Sequence, residues 1–85
     1  MPKSMFTPAY RLMLEVLLDL RRSSGVTQVE LAKRLGRTQA FVSTFERGIR
    51  RIDLIEFYAI VRALGGDPVA IFADLVRRLP KKVAI

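Results

Sequence analysis

The sequence predicts an all-α fold, a single compact domain of five helices, and three observations lead there. Apolar residues recur at spacings of three and four instead of alternating. A capping residue stands before each periodic stretch, at Thr7, Thr27, Thr38, Asp53 and Asp67. Glycine or proline closes each stretch. With 85 residues the chain cannot support two independent cores, so 1–85 reads as one domain, with its core at about 7–79 and a frayed tail at 80–85.

The first helix opens on Thr7 as N-cap with Pro8 in the first helical position, where a missing N–H costs nothing. Leu14, Leu17, Leu18 and Arg21 follow at helical spacing, and Ser23-Ser24-Gly25 stops the helix after about four turns. Thr27 stands three residues before Glu30, the spacing of a capping box, with Val26 and Leu31 as the flanking hydrophobic staple. The short second helix that follows has Leu31, Ala32 and Leu35 on one side and Lys33 and Arg34 on the other. Gly36 is placed to close it in the left-handed conformation.

Thr38 caps a third helix, roughly Gln39 to Arg47, in which Val42 and Phe45 face inward and which ends at Gly48. Gln39, Ala40, Ser43, Thr44 and Arg47 share its opposite side. Phe41 fits either the edge of the core or a thymine methyl group. Asp53 and Glu56 form another box, flanked by Ile52 and Phe57, and start a fourth helix that runs to Gly65-Gly66. Asp67-Pro68 repeats the cap-and-proline pattern for a fifth helix from Pro68 to about Leu79, ended by Pro80.

Composition narrows the function. With no cysteine and no histidine, disulfides, thiolate metal sites and the commonest zinc ligand are all missing, and no cofactor is expected. An enzyme is not expected either, because the acid–base candidates left are scattered carboxylates and Asp53, Glu56 and Asp67 already serve as caps. Met1 to Tyr10 lacks the apolar run of a signal peptide, and no stretch is apolar enough for a membrane span, so the chain is read as cytoplasmic.

Arg21 to Arg51 contains eight basic residues against Glu30 and Glu46, which puts +6 of the net +7 in one segment. Such a segment fits a polyanion such as DNA, through release of condensed counterions, or a solvated face that maintains solubility. An anionic membrane surface fits less well, because the basic residues do not line one helix opposite Trp or Phe. No small-molecule ligand is evident.

Two short helices joined by a glycine-containing turn, the second keeping a polar side, describe a helix-turn-helix. Small Ala32 suits the point where the two helices touch, and Gly36 supplies the positive φ that reverses the chain. Gln39, first in the second of these helices, can donate and accept at once, as N6 and N7 of adenine require in the major groove.

The stretches Leu20-Arg21, Gly25-Val26-Thr27-Gln28, Leu31-Ala32, Leu35-Gly36, Val42-Ser43, Glu46-Arg47-Gly48 and Arg62-Ala63-Leu64-Gly65 stand in the order and spacing of a known family. By these residues the chain resembles the lambda-repressor-like helix-turn-helix proteins, the XRE or Cro/C1 type. The resemblance implies a five-helix fold, double-stranded DNA as partner, a homodimer on a palindromic operator, and transcriptional control, most simply repression. It also implies a cytoplasmic, nucleoid-associated protein of bacterial or phage type.

Carried onto this sequence, the resemblance implies base contacts from Gln39, Ala40, Ser43 and Thr44. It implies phosphate contacts from Thr27, Gln28, Arg37, Arg47, Arg50 and Arg51, and a partly buried ion pair between Arg21 and Glu46. The first helix and the basic loop from Arg47 to Arg51 depart from the usual pattern. An antitoxin-like module that binds both DNA and a protein partner is the alternative, although little chain follows Pro80 to wrap a partner.

The fifth helix has Val69, Phe72, Ala73, Val76 and Leu79 at spacings of three and four, with Ile71 and Leu75 on an adjoining stripe. So wide an apolar arc exceeds one core contact, and a dimer interface is expected at Phe72, Leu75, Val76 and Leu79, with Phe6 or Val83 to Ile85 contributing.

Overall fold

The computed structural model describes residues 7–85, and within them the fold is five α-helices without strands. They are α1 Pro8–Ser23, α2 Gln28–Leu35, α3 Gln39–Glu46, α4 Leu54–Ala63 and α5 Pro68–Arg78. Phe6, expected to contribute to a dimer, and most of the segment read for a signal peptide lie outside the described residues.

All five N-caps act as their residue types dictate. Thr7, Thr27, Thr38 and Asp53 accept from the backbone N–H three residues on, and Asp67 accepts from Val69 N. Asp53 and Glu56 complete a full capping box. The box expected at Thr27 is only half made: Thr27 Oγ1 accepts from Glu30 N, but the Glu30 carboxylate accepts from Arg34 Nε at 3.2 Å. A cation one turn along the helix competes for the carboxylate that would have closed the box.

The first four helices end alike. Gly25, Gly36, Gly48 and Gly65 take φ between 67° and 80°, and the N–H of each following residue reaches back five residues to a carbonyl. At Gly36 an added Cβ would meet nothing within 4 Å, so backbone conformation alone demands glycine there. The third helix stops at Glu46, earlier than the expected Arg47, because Arg47 and Gly48 already belong to this closing turn.

Leu14 and Leu17 of α1, Leu31 and Ala32 of α2, Val42 and Phe45 of α3, and Phe57, Ile60 and Val61 of α4 share one core. Phe41 joins it with its ring tilted against Phe45, at 5.5 Å between centroids. Among the described residues no buried side-chain polar atom lacks a partner.

Helix α5 divides its apolar arc differently from the expectation. Leu75, assigned to a dimer interface, is 4% exposed and lines a small open cleft with Met13 and Phe57, so it belongs to the domain's own core. Leu79 is half-buried against the start of α1. Phe72 and Val76 do face out, together with Val69. The stripe of Ile71 and Leu75 turns inward because α1 and α4 both press on that side of the helix.

The tail 80–85 is irregular and exposed, yet it does not leave the body: Lys82, Val83 and Ala84 line a groove with Pro8, Leu12 and Glu15.

Candidate nucleic-acid interface

The Gly36 turn sets α3 across α2, with Ala32 buried where they meet and Val42 fully enclosed beneath α3. That packing leaves Gln39 and Ala40 exposed on the first turn of α3 and Ser43 and Thr44 half-exposed on the next. The Thr44 hydroxyl donates back to Ala40 O at 2.6 Å, so toward a ligand it offers its methyl group and an oxygen able to accept. Arg37, Arg47 and Arg51 are exposed around these residues, and Arg50 is half-exposed.

A line of polar contacts ties the head of α3 to the body of the fold. Arg21 forks onto Glu46, with Nε at 2.6 Å from Oε2 and Nη2 at 3.1 Å from Oε1, and its Nη1 donates to Val26 O at 2.8 Å. The two side chains are only 13% and 7% exposed. Gln28 Nε2 donates to Glu46 Oε1 at 2.9 Å, and Gln28 Oε1 accepts from Gln39 Nε2 at 3.3 Å. A buried charge without partners is costly, and here each polar atom of the ion pair meets a complementary one. The amide of Gln28 is thereby fixed in orientation, and through it the Gln39 side chain is held near the N-terminus of α2.

The loop between α3 and α4 is pinned at both ends. Ile49 N and Arg50 N donate to Thr44 O, at 2.9 and 3.2 Å. At the far end Ile52 N donates to the Tyr10 hydroxyl of α1 at 3.0 Å. Between these points Arg50 forks onto Glu56, at 3.2 and 2.9 Å, and lies 4.7 Å from the Phe41 ring centroid, while Arg37 lies 4.1 Å from the same ring. Arg51 stacks on Tyr10, 4.2 Å from its centroid.

The guanidinium of Arg50, by hydrogen bonding, and the Asp53 backbone N–H hold the Glu56 carboxyl below its ordinary range; the same bond raises Arg50. Arg34 faces away from this region, where Nη1 donates to Ala63 O at 2.9 Å and caps the end of α4.

The sequence reading singled out the polar side of α3 and the basic loop but missed Tyr10, the Gln28–Glu46 bond and the Arg50–Glu56 fork. Tyr10 figures there only as the end of the segment weighed as a signal peptide, and Glu56 only as half of a capping box. Thr27 keeps its hydroxyl on the α2 cap and remains exposed.

Two short helices around a left-handed glycine turn, the second showing a polar edge amid arginines, define a helix-turn-helix domain. Residues 17–71, well over half of the chain, match the helix-turn-helix family model. The fold superimposes on an XRE-family-like protein from Pseudomonas syringae with a TM-score of 0.81 and 46% identity, over 85% of this chain and 88% of that one. The uncharacterized HTH-type transcriptional regulator y4dJ of Sinorhizobium fredii is 44% identical over 46 residues, or 54% of this chain, and the match spans 60% of that regulator's length. The restriction-modification controller protein C.Esp1396I, solved as a tetramer with its natural 35 base-pair operator, shares the fold at a TM-score of 0.76 and 22% identity, covering 85% of this chain and 95% of that one. The chain belongs to the helix-turn-helix family of the XRE, lambda-repressor-like type, a family of DNA-binding transcriptional regulators.

Proposed function

We propose that this chain binds a palindromic operator as a homodimer, with α3 in the major groove of each half-site, and represses transcription by occupying the site. One observation carries the reading most directly. Gln39 stands exposed at the head of α3, held by Gln28 and flanked by exposed Arg37, Arg47 and Arg51. That geometry combines an amide aimed for a base edge with cations placed for phosphates on either side. In this reading Ala40, Ser43 and Thr44 line the bases beside Gln39, while Thr27, Gln28 and Arg50 complete the backbone contacts.

One recognition helix reads too few base pairs to find a unique site, and a two-fold pair doubles the site while spacing its readers by about 34 Å. The outward residues of α5 suit that pairing. Val69 and Phe72 continue onto Leu54, Ile55 and Tyr58 of α4 around an open groove of about 630 Å³. Ile55 and Val69 are 74% and 78% exposed. Contiguous apolar surface of this kind marks an association site, and an isologous contact across it would cover both copies at once.

Selection from a pool of random duplexes tests the proposal. Enrichment of an inverted repeat, with a dimer in sedimentation at micromolar concentration, is the expected result. Enrichment of a single unrepeated half-site bound by a monomer, or no enrichment, overturns it.

A further inference from the structure

We infer that Tyr10 is a positioning residue for DNA binding, which orients Arg51 toward the phosphate backbone. The inference rests on the DNA-binding reading above and extends it to the first helix. Tyr10 lies on the first turn of α1, ahead of residue 17, where the match to the family model begins. Its hydroxyl accepts from Ile52 N at 3.0 Å, while its ring lies under the Arg51 guanidinium at 4.2 Å. One side chain thus grips two consecutive residues of the loop, the backbone of one and the cation of the other.

The loop's other end is fixed on Thr44 O, at the close of α3. Arg51 therefore sits on a segment whose path is defined from both sides, in register with the helix that carries Gln39. A guanidinium lying over an aromatic ring can still meet a phosphate through N–H groups along its edge. Stacking also removes much of the rotamer entropy that an unrestrained arginine loses on binding.

The test measures affinity for a short duplex of random sequence as a function of salt, for the wild type, Arg51→Ala, Tyr10→Leu, Tyr10→Phe and the double variant Tyr10→Leu/Arg51→Ala. Salt-sensitive binding by the wild type is measured first, and its absence sinks the DNA-binding reading itself, before any substitution is considered. Given that binding, Arg51→Ala is expected to flatten the slope of log K against log salt by about one unit. Tyr10→Leu is expected to weaken binding about two- to fivefold, the scale of an exposed cation–π contact.

The double variant is expected to bind no more weakly than Arg51→Ala, and Tyr10→Phe, which keeps the ring but gives up the bond to Ile52 N, to lose less than Tyr10→Leu. Additive losses in the double variant, or undiminished binding by Tyr10→Leu, overturn the inference. A second measurement needs no substitution. In the wild type the Arg51 methylene protons should show upfield ring-current shifts in the NMR spectrum, and ordinary random-coil shifts there overturn the inference as well.

Discussion

Gln39 donates from Nε2 to Gln28 Oε1 at 3.3 Å, a long bond between two amides that a base edge can replace at small cost. Gln39→Ala should therefore weaken binding to a selected operator by about 1 to 3 kcal/mol and leave binding to random duplexes unchanged, as a titration of both would show. Equal losses on the two duplexes would remove Gln39 from the list of base readers. The Arg21–Glu46 pair belongs to stability. Breaking such a pair leaves an uncompensated charge at a cost of about 3 to 5 kcal/mol when buried. Val26 O remains for Arg21, and Gln28 for Glu46, so the lower end of that range is expected for Arg21→Met or Glu46→Leu in urea unfolding. The paired substitution should be milder than either single one. Glu56 adds a dependence on pH. Because its folded carboxyl titrates below the ordinary value of 4.5, its contribution is complete above that value and is lost as pH falls through the folded one. Glu56→Gln should flatten the acid limb of a stability–pH curve measured by urea unfolding, and an unaltered limb would mean that Arg50 does not hold Glu56 in solution.

At the scale of the helix, caps were legible and azimuth was not. An N-cap is a bond between residues two or three apart, so Thr7, Thr38, Asp53 and Asp67 announce their helices with no knowledge of the rest of the chain. Which of two adjoining apolar stripes a helix buries depends on where its neighbours lie, and α5 shows the limit. Its sequence allows either the stripe of Ile71 and Leu75 or that of Val69, Phe72 and Val76 to face inward, and only contact with α1 and α4 decides for the first. The division has measurable consequences. Leu75→Ala should cost about 2 to 5 kcal/mol in thermal or urea unfolding, as a truncation in a packed core does. Val69→Glu and Ile55→Glu should leave the fold and its melting temperature nearly intact while shifting sedimentation toward a monomer. A dimer that persists in both variants would place the interface elsewhere.

Over the whole molecule, the concentration of +6 of the net +7 between Arg21 and Arg51 was readable from sequence, but, the Arg21–Glu46 pair aside, the work of each cation was not. Arg21 is a structural partner of Glu46, and Arg34 caps α4. Arg50 shares its charge with a carboxylate at 2.9 Å, so its attraction for a phosphate is reduced. Arg50→Ala should accordingly flatten the salt dependence of DNA binding by less than Arg47→Ala, and equal changes in the two slopes would show that DNA displaces Glu56 from Arg50. The polar line from Arg21 through Glu46 and Gln28 to Gln39 bears on how such a protein could acquire a new operator. Any residue replacing Gln39 inherits the oriented amide of Gln28 as its neighbour, so positions 28 and 39 form a two-letter word whose letters are selected together. A diverging duplicate of this gene, or a library built to retarget it, would reach new sites chiefly through paired changes at these two positions, and single changes at 39 would mostly be dead ends.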